Sequence, residues 1–204
     1  MLTFERFLQE NTKKRGAINL LFEERLFGLV EILHTAAAMF ATERIPYELV
    51  GGMAVAARIE QVDRDQIMLT RDVDIMIGRS DLDRVKEASE RYGFRFRHAA
   101  GLDMLLYEEE KKAINGIHLI FAGETVKPDQ APNPALAPER ITVHRGEVAV
   151  ISVSDLVRMK LNSYRDKDRV HVRGMDAVGL ITPAVERILP EHLLARLQIV
   201  RETE

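Results

Sequence analysis

The 204-residue chain has no cysteine and no tryptophan. The first absence removes disulfides, zinc–thiolate sites and thiol catalysis together, and leaves the cellular compartment open. A long apolar run is also missing. The stretch around Leu33–Ala41 is interrupted by His34 and Thr35, far short of the ~20 residues that a membrane-spanning helix needs. The opening Met1-Leu2-Thr3-Phe4-Glu5-Arg6 lacks a basic segment, an apolar core and a small-residue cleavage site. No secretory signal is therefore expected, and a cytoplasmic protein without membrane contact is the default. Nor is there an excess of one charge: 29 Lys and Arg face 32 Asp and Glu, for a formal net charge of -3. No global basic field for gripping nucleic acid follows, although a local patch is compatible with these numbers. The histidines at 34, 98, 118, 144, 171 and 192 form no i,i+4 pair and no metal-ligand spacing. A Gly-x-Ser-x-Gly elbow, a Walker A loop and a dinucleotide fingerprint are all absent, which leaves hydrolase and Rossmann readings without support.

What is present is the balance of an ordinary globular chain, 46% hydrophobic and 30% charged, of a length that favours one compact unit. The first 42 residues read as helix, with Leu26, Val30, Leu33, Ala37 and Phe40 at spacings of three and four, and Gly16 setting off a short leading helix. Ile45–Val50 is a β-like run that ends at Gly51-Gly52, and Met53–Ile59 is strongly helix-forming. Asp72–Ile77 reads as a strand, and Ser80 as the N-cap of a helix through Leu82, Val85, Ala88 and Tyr92. Phe94–Arg97, Met104–Tyr107 and Ile117–Phe121 read as further strands, with Asn115-Gly116 as a turn signal. Residues 123–140 hold four of the seven prolines and read as a loop or arm. Ile141–Val143 and Val148–Ile151 suit a hairpin turned at Arg145-Gly146. The remainder is helical, with Ser154 as a cap and Thr182-Pro183 and Pro190 opening two later helices. The expected architecture is α/β (α+β), a mixed β-sheet flanked by helices. N-terminal helices over 1–44 pack on an α/β core over 45–151, and a helical segment over 152–204 follows.

Three features fall in a suggestive order. Gly51-Gly52 ends a strand and opens a helix, so backbone N–H groups and a positive dipole end are available to a phosphate. The plainer reading is a tight turn without a ligand. Asp72 and Asp74, two apart on a strand, share one face while Val73, Ile75 and Ile77 take the other. Paired carboxylates repel, and a hard cation relieves that repulsion. Magnesium takes one or two carboxylates plus substrate phosphates. The rival account is a polar strand edge facing water, yet aspartate is disfavoured in strands and two occupy this one. Lys160 and Tyr164 lie four apart on a later helix, where a lysine can meet a triphosphate as a point charge. Against this stands a solvated helix with Arg165 and Asp168 as an i,i+3 pair.

In order, Leu49-Val50-Gly51-Gly52 and Thr70-Arg71-Asp72-Val73-Asp74-Ile75 resemble the signature of the DNA polymerase beta-type nucleotidyltransferase superfamily. Within it the match is closest to small bacterial nucleotidyltransferase-like proteins related to abortive-infection and toxin–antitoxin systems. Leu156–Lys160 and Arg165–Asp168 resemble the helical motif that follows the sheet there, and the resemblance spans roughly residues 45–181. It implies a nucleotidyltransferase-like fold in which Gly51 and Gly52 position a triphosphate and Asp72 and Asp74 bind Mg²⁺. It also makes Lys160 a further phosphate contact, and Thr70 and Arg71 supports for the substrate or for the start of the strand. The superfamily's third carboxylate has no counterpart. His118, alternating with Ile117, Leu119 and Phe121, stands in its place as a possible proton acceptor or as an ordinary polar side chain.

The implied activity is Mg²⁺-dependent transfer of a nucleotide monophosphate from an NTP to an RNA end, a protein hydroxyl or a small molecule. The alternative is an inactive nucleotidyltransferase-fold protein that binds nucleotide or a partner protein, including one half of a toxin–antitoxin pair. Leu193, Leu194, Leu197 and Val200 would serve such an interface, though at helical spacing they suit a core better.

Overall fold

Strand-forming alternation between residues 47 and 150 and helical periodicity after it place a single sheet ahead of four closing helices. A computed structural model describes residues 17–68, 70, 72–107, 116–128, 130–143 and 146–203, the first ten of these as backbone only. Gly16, Arg71, Asn115 and Arg145, named above, lie outside the described residues.

Helix α1 (Ala17–Thr42) leads to β1 (Tyr47–Val50), α2 (Gly51–Glu60), β2 (Val73–Ile77) and α3 (Leu82–Ser89). Strands β3 (Phe94–Ala99), β4 (Leu102–Tyr107) and β5 (Gly116–Phe121) follow, then β6 (Glu139–Val143) and β7 (Gly146–Val150). Helices α4 (Val153–Ser163), α5 (Asp166–Ala177), α6 (Pro183–Arg187) and α7 (Glu191–Glu202) close the chain. The seven strands form one mixed sheet in the order β3-β4-β5-β2-β1-β7-β6. Strands β1 and β2 are antiparallel, whereas β5 runs parallel to β2 and β7 parallel to β1. The architecture is thus α/β with a mixed sheet and helices on either side of it in sequence.

Alternation decides which face each strand buries. Leu49, Ile75, Leu105, Ile117, Leu119 and Val150 turn to one face and are all buried. Helix α2 is buried along nearly its whole length, Gly52 through Ile59. Its one charged buried residue, Arg58, donates from Nε to the Ile151 carbonyl (3.1 Å) and pairs with Glu139 at 2.8 Å. Helices α4, α5 and α7 pack on one another, and α4 and α5 dock on α2. Leu193, Leu197 and Val200 are buried in that docking, as core rather than as a free surface.

Two caps differ from expectation. Ser152, not Ser154, caps α4, because its Oγ accepts from the Asp155 N–H (3.1 Å) while Ser154 already lies inside the first turn. A 3₁₀ turn over Arg79–Asp81 precedes α3, so Ser80 sits within it and caps nothing; the Asp81 N–H is taken by the Gly78 carbonyl at 3.0 Å. The proline-rich arm gives way to β6 at Glu139, and its path is tied at several points. Asn133 bonds Gly123, Glu124 and Phe121, Ala131 exchanges two bonds with Asn162 of α4, and the Ala137 N–H donates to the buried Glu48 carboxyl.

Candidate active site

The β1–α2 turn requires glycine for two reasons. Gly51 has a positive φ of 70°, and a Cβ there would overlap the Asp74 carboxylate. A Cβ on Gly52 would fall 2.5 Å from Thr70 Oγ1 and 3.3 Å from His171 Cε1. The paired glycines therefore let the start of α2 press against the acidic strand on one side and against Thr70 and α5 on the other. The Thr70 hydroxyl lies 3.4 Å from the Asp72 carbonyl, a long contact at the base of the same turn.

Sheet register aligns the rest. Val50, Asp74 and His118 are direct neighbours across β1, β2 and β5. Aligned residues share a face, and His118 Nδ1 lies 3.2 Å from Asp74 Oδ1. That hydrogen bond raises the pKa of His118, against a smaller opposing effect of burial. The charges of Asp74 and Asp72 add to the rise, and Lys167 opposes it. Asp72, just ahead of β2, is part-exposed on the same side. Of the expected site residues, Gly51, Gly52, Thr70, Asp72, Asp74 and His118 are thus brought together, while Arg71 lies outside the described residues.

Lys160 is placed differently. It is only 6% exposed, and its Nζ is 3.0 Å from Oδ1 of Asp168, itself 0% exposed. Arg165 Nε holds the other oxygen at 2.8 Å. The Arg165–Asp168 pair is therefore present but buried at its acid end only: Asp168 is inaccessible because α5 is docked, while the Arg165 side chain stays exposed. Burial would raise the Asp168 pKa, yet the Arg165 hydrogen bond and the Lys160 charge outweigh it and hold it at about 2. His171, one turn along, is pushed down to about 4 by burial and by the Lys160 charge, and its buried Nδ1 has no hydrogen-bond partner among the described residues. This neutral imidazole backs Gly52.

Lys167, by contrast, is exposed, and its charge bears on both His118 and His171. Sequence reasoning passed over it in favour of Lys160. A signal existed: a lysine in the first turn of a helix opposes the helix dipole, so something other than helix stability places it there.

The donor set can be tested against a metal. Among the described residues no group of three His, Cys, Asp or Glu is arranged to hold an ion. A zinc or calcium cage built from protein alone does not fit. Two part-exposed carboxylates on one face at the start of β2, beside the glycine turn that opens α2, do fit a hard divalent cation that shares its shell with phosphate oxygens.

No protein-family model matches the chain. No curated protein matches it either. Among solved structures it is similar to an antigenic nucleotidyltransferase-like protein from Paracoccidioides brasiliensis. That match has a TM-score of 0.58 and 14% identity, over 85% of this chain and 88% of that one. Looser likenesses include the antibiotic-resistance factor ANT(2'')-Ia (TM-score 0.45, 16% identity, 87% and 84% covered). Another is the lincosamide antibiotic adenylyltransferase LnuA (TM-score 0.47, 15% identity, 76% and 97% covered). The fold is nucleotidyltransferase-like. None of the described helices is long and apolar enough to cross a membrane.

Proposed function

We propose that a nucleotidyltransferase-like fold is used here for its usual geometry, and that this chain transfers a nucleotide monophosphate from an NTP to a hydroxyl. One observation carries the reading. Gly51 is seated against the Asp74 carboxylate, which is in turn bonded to His118, so a candidate phosphate cradle, a pair of acids and a base candidate meet at one end of the central strands β1, β2 and β5.

In this reading the N–H groups at the start of α2 receive phosphate oxygens, aided by the helix dipole. Asp72 and Asp74 hold Mg²⁺, which neutralises charge on the phosphates when bound. Lys167, exposed and near enough for its charge to act on His118, would supply a cation for the leaving pyrophosphate. Lys160, already bonded to Asp168, acts from behind by fixing α4 against α5, and Thr70 supports the turn at Gly52. His118 offers Nδ1–H to Asp74, which orients the ring and leaves Nε2 to take the proton of the acceptor hydroxyl. The acceptor oxygen then bonds to the α-phosphorus as the α–β bridging bond breaks and pyrophosphate departs. Without a metal the Asp74 bond raises the pKa of His118; a cation on Asp74 would oppose that rise, and turnover is expected to increase with pH as His118 loses its proton.

Calorimetry with ATP, GTP, CTP and UTP, with and without Mg²⁺, tests the site beside an Asp72→Ala/Asp74→Ala variant. Metal-dependent binding that the variant loses is the expected result; no binding of any nucleotide sinks the reading. A second reading follows from the missing third ligand: a nucleotide-binding scaffold without turnover, within which a toxin–antitoxin role also falls. Binding without pyrophosphate release at any pH favours it.

A further inference from the structure

The sheet is sealed on one face over β3–β5 and open on the other. On the sealed side Phe94, Leu105, Ile117 and Leu119 are buried. On the open side the row that contains Asp74 and His118 continues in register to Met104 on β4 and Arg97 on β3. Leu102 and Leu106, two residues either side of Met104, share its face. Leu102 is 52% exposed and the other two are half-buried, and none of the three belongs to the hydrophobic core. Arg97 is exposed and makes no ion pair among the described residues, with Arg95 two positions along on the same face. The described residues of these three strands place no carboxylate there.

Direction matters as much as composition. The glycine turn lies on the β1 side of Asp74 and His118 on the β5 side. If the triphosphate occupies the first, the attacking hydroxyl arrives over the second, across β5, β4 and β3. This step rests on the nucleotidyl-transfer reading. The acceptor then meets an apolar floor of Met104, Leu102 and Leu106, and a guanidinium two strands from His118, about 10 Å away at ordinary strand spacing.

We propose that this face receives an acidic, hydroxyl-bearing segment of another protein as the acceptor, with Arg97 setting the preference for negative charge. A small molecule is normally enclosed on most sides, whereas Leu102 and Arg97 on this face are exposed. Nucleic acid is gripped through many phosphates, and the described residues of this face hold two arginines only. An extended polypeptide advances about 3.3 Å per residue, so an acidic side chain roughly three residues from the hydroxyl reaches Arg97. Transfer forms a bond from the side-chain oxygen to the α-phosphorus, releases pyrophosphate and passes the hydroxyl proton to His118.

The test uses a fluorescent glutamate–tyrosine copolymer, a lysine–tyrosine copolymer and a single-stranded RNA with a free 3′ hydroxyl, each titrated with the full chain. The acidic copolymer is expected to bind at least about tenfold more tightly than the basic one. Arg97→Glu is expected to remove or reverse that preference, and Arg97→Gln to weaken it. With Mg²⁺ and the four NTPs labelled at the α-phosphate, label goes to the acidic copolymer. Equal binding of the two copolymers, indifference to both Arg97 variants, or preferential labelling of RNA overturns the proposal. So does nucleotide binding with no label on the acidic copolymer. The titrations contain no nucleotide, so their failure is separable from failure of the nucleotide site, which calorimetry reads alone.

Discussion

Two clusters of charged side chains lie on either side of the glycine turn, and they differ in what surrounds them. Behind it, Lys160 and Asp168 form a sealed pair, Asp168 wholly inaccessible, with the exposed Arg165 reaching its second oxygen and neutral His171 beside it. In front, Asp72, Asp74, His118 and Lys167 are all at least part-exposed. Both clusters join acids to bases at hydrogen-bond distance. The sealed one satisfies its acid with two cations and has no capacity left for a ligand; the open one has two part-exposed acids and a single imidazole bond. Burial of the acid, more than residue type, separates the pair that holds the fold from the cluster proposed to act. The contrast predicts that damage behind the turn appears as lost stability, and damage in front as lost binding.

The largest expected effect is at Asp168. Asp168→Ala leaves the Lys160 ammonium buried without its partner and Arg165 without its anchor. Removing one member of a buried pair costs about 3–5 kcal/mol, read as a fall in the urea midpoint. A Lys160→Met/Asp168→Leu double variant, which removes both charges, recovers much of it. A loss below about 1 kcal/mol for Asp168→Ala would show a solvated pair and erase the distinction.

Acid should separate the clusters next, because their signs are opposite. The folded pKa of His171, about 4, lies below the ordinary 6.5, so the unfolded chain takes up a proton that the folded chain refuses. Stability therefore declines as pH falls from about 6.5 to about 4, by something on the order of 3 kcal/mol. Below that, Asp168 continues the loss between its unfolded value of 3.8 and its folded value of about 2. His118 works the other way: its raised pKa contributes stability below 6.5 that is lost as pH rises through the folded value. Urea midpoints at pH 7.5, 5.5 and 4.5 check this, and His171→Gln should flatten the acid slope. An unchanged slope would mean that His171 is solvated.

Much of the open cluster was legible in the chain because strands carry their pattern locally. Asp72-Val73-Asp74-Ile75 shows two acids on one face by alternation, and His118 among Ile117, Leu119 and Phe121 shows a polar residue on the face of a neighbouring strand. That these two strands are adjacent came from the resemblance, not from the pattern. The sealed cluster was not legible. The i,i+3 spacing of Arg165 and Asp168 is the same on a solvated helix and on a docked one. What decides is that α5 meets α2 and the loop before β2 so closely that a Cβ on Gly174 would overlap the Met68 sulfur. That is a tertiary fact with no local trace. The choice between Lys160 and Lys167 turned on the same point.

Gly51 lies between the two regions, and substituting it should produce a mixed result. Gly51→Ala introduces strain at a φ of 70° and drives a methyl into the Asp74 carboxylate. A non-glycine residue held in this region costs about 1–3 kcal/mol. Relief requires Asp74 to move, so nucleotide binding falls as well as stability. If thermal unfolding is unchanged, the left-handed turn is not where the structure has it.

The smallest effect on stability, and the one that most sharply defines the open cluster, belongs to Asp72. It is part-exposed and lies ahead of β2, with its backbone carbonyl rather than its carboxylate near Thr70. Asp72→Ala should therefore shift the urea midpoint by no more than about 0.5 kcal/mol. Removing one of two adjacent carboxylates also relieves repulsion, so a slight gain in stability is as acceptable as no change. The same variant should lose Mg²⁺-dependent nucleotide binding, because one carboxylate and a phosphate leave the ion short of ligands. Calorimetry and unfolding on one preparation read both. Binding that survives intact would show that Asp74 alone carries the metal, and a loss of stability comparable to that of Asp168→Ala would make Asp72 a structural residue instead.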